Sequence, residues 1–398
     1  MLTRRAFPGI CATALGSGAT VIAAPAAPAR PRVAAVVTEY RYYSHADVVC
    51  GRIFDGYAVN GKRQAPRTEI VSMFTAQTPE NDMARELCSR HGIPLYKTIR
   101  EALTLGGSKL AVDAVVFIGE HGNYPMNELG QKLYPRFELF SEVLAVYRDS
   151  GRSVPTFFDK HLSYSWEKAK KLYDEAAALK VPWFAGSSLP VTVRIPDVSL
   201  PVGVEFEDAC VIGFGDADAY GFHLLEVLQC MVERRKGGET GVAAVRMVEG
   251  PEAAPDKDPL AEEAMARQPG RRTNMLTRQP VRFDIEYRDG LKTRVYILNG
   301  AVQHFTFAAR VRGQLKPLSC LFNMSHETRP LPHFDGLVSR IEEMFVTGRP
   351  PYPVERTLLT TGILAHLFDS KLKRYQRIET PALEIRYAPP KDGWHQSA

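Results

Sequence analysis

The first half of this chain alternates short apolar runs with amphipathic stretches. Each run has the length of one buried strand, and each stretch spaces its apolar residues three and four apart, as on one face of a helix. The strands predicted in this way are 32–38, 69–75, 95–97, 114–119, 154–158 and 183–185. The predicted helices are 44–57, 80–91, 99–104, 135–149 and one that follows an N-cap at Ser165. Strands that alternate with helices predict a doubly wound, parallel α/β sheet.

A second pattern begins near residue 190, where strands follow one another with fewer helices between them. The predicted strands are 202–213, 242–248, 281–287, 293–299, 302–312 and 318–324, and the predicted helices are 219–233, 334–345 and 354–371. The turn signal Arg288-Asp289-Gly290 predicts a hairpin between two of these strands. The pattern indicates an α+β domain with an open, mainly antiparallel sheet of five or six strands.

The chain length of 398 residues favours two domains. We place an N-terminal domain at 31–190 and a C-terminal domain at 191–398. The closing helix, 354–371, is a candidate to pack back on the N-terminal domain. Residues 251–280 are rich in proline, alanine and charge, which predicts an insertion that could form a lid. The net charge of +5 is small for this length and favours a solvated surface over a nucleic-acid partner.

The first 30 residues predict export. Arg4 and Arg5 precede an apolar stretch at 10–24, and small residues follow at 24–29, which is the pattern of a twin-arginine signal. The stretch is too short and too rich in glycine for a membrane span. The expected location is therefore the periplasm or the outside of the cell. Of six cysteines, Cys11 leaves with the signal, and the others form no CxxC pair. Buried free thiols are the favoured interpretation, and one disulfide is left open.

Ionisable residues follow two of the predicted strands at the points where they end. Glu120 and His121 follow strand 114–119, while Asp159, Lys160 and His161 follow strand 154–158. Ligands bind at the carboxyl ends of the strands in open α/β sheets. If these two strands are neighbours, two carboxylates and two imidazoles share one edge, which suits a divalent metal such as zinc or manganese. The spacings match no specific metal motif, so a network of ion pairs is the favoured alternative.

Three segments carry a resemblance to a known family. Asp-Lys-His at 159–161 stands where that family has Glu-Lys-Pro, and Tyr-Gly-Phe-His at 220–223 is similar to its segment that presents a histidine to a sugar. Thr-Gly-Arg-Pro-Pro at 347–351 precedes a closing helix, as in the family. In this order and spacing they resemble the Gfo/Idh/MocA oxidoreductases, which include glucose-fructose oxidoreductase and inositol dehydrogenase.

The resemblance implies a Rossmann-like first domain that binds NAD(P) tightly, and a sugar or polyol as substrate. It implies that Lys160 and His223 manage the hydroxyl proton, with Asp159 beside Lys160. Further candidates lie near these residues. Those for cofactor binding are Thr38, Arg41, Ser44, Glu120 and His121. Those for substrate binding are His161, Tyr124, Tyr220 and Ser187. The open sheet implies a homo-oligomer, because an apolar sheet face usually finds a partner.

The chain departs from the family at both dinucleotide signals. The first strand should turn through G-x-G-x-x-G, but residues 38–46 contain no glycine. The second strand should end in an acidic residue, yet it is followed by Ala76 and Gln77. Phosphate binding would then depend on the helix N-terminus near Ser44 and on Arg41. Two other hypotheses stay open: a cofactor-free, metal-assisted carbohydrate lyase, hydrolase or epimerase, and a non-catalytic carbohydrate-binding protein.

Overall fold

The structure is a computed structural model that describes residues 29–269, 279–324, 331–393 and 395–396. Residues 1–28 lie outside this part of the chain, so the twin-arginine signal stays a prediction. In the described residues, no helix combines the length and the apolar character that a bilayer crossing needs.

The N-terminal half folds as alternating strands and helices. In chain order its elements are β1 (Arg32–Val37), α1 (His45–Asp55), β2 (Tyr57–Val59), β3 (Lys62–Gln64), β4 (Glu69–Thr75), α2 (Ala84–His91), β5 (Leu95–Tyr96), α3 (Ile99–Thr104), β6 (Ala114–Ile118), α4 (Arg136–Ser150), β7 (Thr156–Asp159), α5 (Trp166–Ala178) and β8 (Trp183–Gly186). Among the described strands, six form one sheet in the order β5-β4-β1-β6-β7-β8, with every pair parallel. The predicted doubly wound sheet is confirmed.

Local signals explain most of these boundaries. The Ser44 hydroxyl accepts the Asp47 N–H at 3.2 Å and begins α1, and the Ser165 hydroxyl does the same for α5. Helix α2 begins at Ala84, later than the predicted residue 80. The reason is that the Met83 N–H donates to the Tyr40 carbonyl at 2.7 Å, which ties this segment to the loop after β1.

The C-terminal half contains the second sheet. Its elements are β9 (Arg194–Ile195), β10 (Phe206–Gly213), α6 (Ala219–Val232), β11 (Val242–Glu249), α7 (Pro259–Met265), β12 (Val281–Tyr287), β13 (Lys292–Ile297), β14 (Phe305–Val311), β15 (Leu318–Phe322), α8 (His333–Thr347), α9 (Glu355–Leu372) and β16 (Ile378–Glu379). Short 3-10 turns lie at Leu189–Val191, Pro251–Ala253 and Pro381–Leu383.

This sheet is larger and less regular than predicted. Its described strands number eight, in the order β16-β11-β12-β13-β10-β14-β15-β9, and the prediction of five or six strands is wrong. The edge strands β9 and β16 have two residues each, too few to show a period. The β10–β13 pair is parallel and the other pairs are antiparallel. The open, mainly antiparallel α+β sheet is otherwise confirmed.

Two C-terminal helices pack on the first sheet. Helix α8 lies against α1 and β2, where Arg52 Nε contacts Asp335 Oδ1 at 2.5 Å and the Tyr57 hydroxyl donates to Glu342 at 2.8 Å. Helix α9 packs against α5 and β8, and the Thr357 hydroxyl donates to the β8 backbone at 2.6 Å. The two sheets are thus joined through buried helices, and the edge where β6, β7 and β8 end faces α6.

Helices α6 and α7 cover opposite faces of the second sheet. Phe222 of α6 belongs to the same buried cluster as Ala209 of β10, whereas Leu260 of α7 packs with Cys210, the next residue along the strand. The described part of the predicted 251–280 lid therefore covers a sheet face and not the ends of β6 and β7. The homo-oligomer through this sheet stays a prediction. The described cysteines, Cys50, Cys88, Cys210, Cys230 and Cys320, are buried free thiols.

Candidate functional site

The carboxyl ends of β6 and β7 bring the predicted polar residues together. These strands pair in parallel, so Glu120 and His121 lie beside the residues that end β7. Helix α6 of the second domain reaches the same edge, and Lys160 Nζ lies 2.5 Å from His223 Nε2. Only 4 % of Lys160 and 9 % of His223 are exposed. The two residues predicted to manage a proton are therefore in direct contact across the two domains.

The backbone is strained at both strand ends. His121 has φ +71° and Lys160 has φ +72°, in the left-handed region that residues other than glycine rarely adopt. The Lys160 N–H is held by the Gly186 carbonyl of β8 at 3.0 Å, which fixes this conformation. Strain of this kind costs on the order of 1–3 kcal/mol and clusters at functional sites. Two such residues on adjacent strands mark this edge as a candidate site.

Asp159 is paired with a histidine that the sequence analysis did not select. His45 Nδ1, in the first turn of α1, donates to Asp159 Oδ2 at 2.7 Å. Lys160, the next residue in the chain, contacts His223. Asp159 is fully buried, and its Oδ1 has no hydrogen-bond partner among the described residues. Asp159 thus anchors the N-terminus of α1 and keeps one carboxylate oxygen available.

Glu120, Arg136 and His161 form a buried polar chain. Arg136 donates to Glu120 through Nη2 and to His161 Nε2 through Nη1, the latter at 2.8 Å. Burial opposes ionisation of Glu120, but the Lys160 ammonium and the Arg136 guanidinium outweigh it and hold the Glu120 pKa well below its ordinary value. Burial, followed by the Arg136 charge, lowers the pKa of His161 well below its ordinary value. His161 is therefore neutral and accepts from Arg136.

The metal alternative finds no support in this chain of contacts. Within residues 29–269, 279–324, 331–393 and 395–396, no group of histidine, cysteine, aspartate and glutamate is arranged to hold a metal ion. Glu120 and His161 are both engaged by Arg136, and Asp159 by His45. These residues form a network of ion pairs and hydrogen bonds, which was the favoured interpretation of the sequence.

His121 presents a buried donor at the same edge. Burial and the nearby His45 ring lower the pKa of His121 to about 3, so the ring is neutral at physiological pH. Arg41 Nη2 lies 3.3 Å from His121 Nδ1 and can only donate, so Nδ1 is the acceptor and Nε2 carries the proton. His121 Nε2 is buried and has no partner in the described part of the chain. An unused donor therefore accompanies the unused acceptor, Asp159 Oδ1.

The loop between β1 and α1 uses most of its polar groups internally. The Thr38 hydroxyl donates to the Glu120 carbonyl at 2.6 Å. The Ser44 hydroxyl accepts the N–H groups of Arg41 and Asp47, both at 3.2 Å. Thr38 and Ser44 thus stabilise the loop, and their role at a cofactor stays a prediction. Arg41 contacts Glu39 at 2.6 Å, and its side chain stays about one-third exposed.

A hydrogen-bonded bridge also crosses the carboxyl end of β1. The Gln77 side chain, after β4, accepts the Asn123 N–H at 2.8 Å and donates to the Asn123 carbonyl at 3.1 Å. Asn123 belongs to the loop that follows β6. The two loops on either side of β1 are therefore joined at the crevice where dinucleotides enter this type of sheet.

The predicted substrate residues are placed in different surroundings. The Tyr220 ring lies 5.9 Å from His223, edge to face, beside the Lys160–His223 pair. Tyr124 is half-buried against the Tyr134 ring, and burial raises the pKa of Tyr124 to about 12. His161 packs against Phe222 of α6. Ser187 is fully buried, and its hydroxyl accepts the Leu189 N–H at 3.3 Å, so it stabilises the turn after β8, and its role in substrate binding stays a prediction.

Three residues of the site were missed by sequence analysis. His45 had a usable signal, because it directly follows the predicted N-cap of α1. Arg136 had none, since its contacts with Glu120 and His161 depend on tertiary packing. Glu226 lies one turn beyond His223 on α6, is fully buried, and accepts the Ser187 N–H at 3.3 Å and the Thr360 hydroxyl at 3.1 Å. Burial raises the pKa of Glu226 to about 7.

The fold matches solved dehydrogenase structures. GenD2 from gentamicin A biosynthesis, solved in complex with NAD, superimposes with a TM-score of 0.57 at 13% identity, over 88% of this chain and 96% of that chain. Myo-inositol 2-dehydrogenase from Lactobacillus plantarum superimposes with a TM-score of 0.55 at 8% identity. The match covers 88% of this chain and 99% of that chain. An inositol dehydrogenase homolog from Azotobacter vinelandii, complexed with NADH and myo-inositol, superimposes with a TM-score of 0.52 at 12% identity. The match covers 88% of this chain and 98% of that chain.

By sequence, the chain matches no protein-family profile and no curated protein. The structural matches extend over both sheets, since they cover 88% of the chain. The chain therefore has the two-domain fold of the Gfo/Idh/MocA dehydrogenases, and at these identities the likeness concerns the fold.

Proposed function

We propose that this protein is an NAD(P)-dependent oxidoreductase that acts on a hydroxyl of a sugar or polyol. The observation that carries the proposal is the contact of Lys160 with His223 at 2.5 Å, where the two domains meet at the end of β7. The shared fold with dehydrogenases supports the same assignment. The proposal includes export through the predicted signal segment, with the cofactor retained during transport of the folded protein.

The pair has the chemistry that alcohol oxidation requires. Lys160 Nζ and His223 Nε2 lie at hydrogen-bond distance, so a proton can pass between them. When a substrate hydroxyl enters, His223 accepts its proton, and the Lys160 ammonium stabilises the developing negative charge on the oxygen. NAD(P), when bound, supplies the acceptor for the hydride. In the reverse direction, His223 returns the proton to the carbonyl oxygen.

The unused buried atoms fit the nicotinamide end of such a cofactor. A carboxamide has one acceptor oxygen and a donor nitrogen, and the site offers one buried donor, His121 Nε2, and one buried acceptor, Asp159 Oδ1. Phosphates would be held by the Arg41 guanidinium and the N-terminus of the 11-residue helix α1. The residues present therefore fit the cofactor. The Arg41 guanidinium would hold the phosphates in place of the backbone amides of a glycine-rich loop.

A second candidate function is cofactor-free acid–base catalysis on a carbohydrate, as in a lyase or epimerase. The observation that favours it is the bridge from Gln77 to Asn123, together with the internal hydrogen bonds of the loop after β1. Both features occupy the crevice that a dinucleotide enters. The Lys160–His223 pair would then abstract a proton without hydride transfer.

Denaturation of the purified, folded protein distinguishes the two functions. The supernatant is analysed for NAD(P) by absorbance and mass, and the emptied protein is titrated with NAD⁺ and NADP⁺. The first proposal expects cofactor in the supernatant or saturable binding of one dinucleotide. An Arg41→Ala variant should bind it more weakly, whereas Arg90→Ala, which removes an exposed arginine from α2, should not. A protein that releases no dinucleotide and binds none contradicts the first proposal.

The catalytic pair is tested with Lys160→Met and His223→Asn. Each variant is expected to lose activity by roughly 10²–10⁴-fold, because a positioned acid–base group contributes that much. The matched control is Lys170→Met, which removes a lysine of α5 whose partner, Asp174, lies one turn further along the same helix. Full activity in His223→Asn would contradict the role given to the pair.

A further inference from the structure

A large cleft at the N-terminal end of α6 is not used by the proposed reaction. Its volume is about 1020 Å³, which exceeds the needs of a single small polyol. The residues that line it include Leu129, Asp216, Asp218, Asn299, Phe368 and Lys371. The cleft adjoins the polar edge, since Asp218 interacts electrostatically with Arg136 and Glu120.

Asp218 lines this cleft and has one carboxylate oxygen without a hydrogen-bond partner among the described residues. The residue is 5 % exposed, and its Oδ2 accepts the Lys132 N–H at 2.9 Å. Its Oδ1 is buried and has no hydrogen-bond partner among the described residues. Leaving a buried carboxylate oxygen without a donor costs free energy, on the order of 1–3 kcal/mol or more. The cleft therefore lacks a donor that a ligand would supply.

The charges around Asp218 favour a cationic ligand. Asp216 adds a second carboxylate to the same loop, and its Oδ1 caps α6 by accepting the Ala219 N–H at 2.7 Å. Lys371 is neutralised by Glu249, which it contacts at 2.9 Å. Arg136 acts on Asp218 from α4, but its guanidinium is already shared by two other residues. The lining thus carries excess negative charge.

An organic ammonium satisfies this cleft better than the alternatives. In the described part of the chain, no set of three potential ligands can hold a metal ion. A neutral sugar hydroxyl would donate to Asp218 Oδ1 but would leave its charge uncompensated. An ammonium donates a hydrogen bond to Asp218 Oδ1 and also neutralises the charge of the carboxylate. Charge-assisted hydrogen bonds of this kind are roughly twice as strong as neutral ones.

We propose that the substrate is an amino-substituted sugar or polyol whose protonated amino group binds Asp218. This inference rests on the proposed function and names its substrate class. Asp218 directly precedes α6, and His223 is five residues further on, which corresponds to about 7.5 Å along the helix axis. In this proposal the reacting hydroxyl of the substrate lies at the Lys160–His223 pair and its amine lies at Asp218.

Calorimetry on the full-length protein tests the inference with three probes of matched shape: D-glucosamine, D-glucose and N-acetyl-D-glucosamine. Glucosamine is expected to bind about tenfold more tightly than glucose, a difference of about 1.4 kcal/mol. The preference should vanish with N-acetylglucosamine, whose nitrogen carries no charge. It should also vanish in Asp218→Asn, whereas Asp256→Asn, a change at an exposed carboxylate of the 251–280 insertion, should preserve it.

The inference is overturned if the wild-type protein binds glucosamine no better than glucose up to tens of millimolar, or if Asp218→Asn keeps the preference. If Asp218→Asn does not fold, the comparison with N-acetylglucosamine on wild-type protein decides alone. The dinucleotide assay is independent of these probes. Cofactor release without a preference for glucosamine rejects only the inference, and a preference without any dinucleotide rejects only the proposed function.

Discussion

Substitution of Glu226 by glutamine should change how stability depends on pH. Glu226 is fully buried behind the site, and burial raises its pKa from 4.5 to about 7. Between these values the folded protein keeps a proton that the unfolded chain has lost. The protonated carboxyl therefore contributes stability that is fully present below pH 4.5 and is lost as the pH rises to about 7.

The magnitude follows from the two pKa values. A shift of 2.5 units corresponds to about 3 kcal/mol at about 1.36 kcal/mol per unit. Glutamine has a similar shape and does not ionise, so its stability lacks this dependence. It keeps only one acceptor for the Ser187 N–H and the Thr360 hydroxyl, which adds a penalty that is the same at every pH. The pH-dependent part of the difference is thus the quantity to measure.

Urea unfolding at several pH values between 4.5 and 8 provides this measurement. The free energy of unfolding of Glu226→Gln, minus that of the wild type, should rise by about 3 kcal/mol across the range. A Glu128→Gln control, at an exposed carboxylate, should show no such rise. A difference for Glu226→Gln that stays constant, or that falls with pH, would refute the reasoning and show that the carboxyl is ionised throughout.

Three further perturbations have defined outcomes. Arg136→Met should destabilise the fold by about 3–5 kcal/mol in urea unfolding, because it leaves the buried Glu120 carboxylate without its guanidinium. Gly186→Ala should lower the melting temperature by several degrees, since Gly186 has φ +129° and an added Cβ would lie 2.4 Å from the buried Glu226 carboxylate. Replacement of the arginine pair at 4–5 by lysines should retain the protein in the cytoplasm, as cell fractionation with immunoblotting would show.

The sequence was sufficient for the layered fold and for the location of the polar edge. Alternating strands and helices place β6 beside β7, and the chemistry-bearing residues follow both strands. Periodicity alone did not predict the contact of Lys160 with His223, because the two residues are 63 positions apart in the chain. That pairing came from the resemblance of the segments at 159–161 and 220–223 to one family, and the contact in the structure agrees with it.

The parts that sequence analysis missed depend on tertiary packing. Nothing local indicates that Arg136 reaches across to Glu120, or that α8 packs on α1 instead of within the C-terminal domain. The contact of Asp159 with His45 depends on tertiary packing in the same way. Its neighbour in the chain is Lys160, but the left-handed backbone at Lys160 turns that side chain toward α6, and Asp159 contacts His45 of α1 instead.

In the proposed function, the charge on Glu120 separates the roles of Lys160 and His223. Lys160 is the first of the cations that hold the Glu120 pKa down against burial, and this attraction is mutual. The Glu120 carboxylate therefore attracts the positive charge of Lys160. In the proposed reaction His223 is the base, while Lys160 supplies positive charge to the substrate oxygen. The proposed reaction thus uses the second domain for proton transfer and the first for charge stabilisation, so it requires both domains.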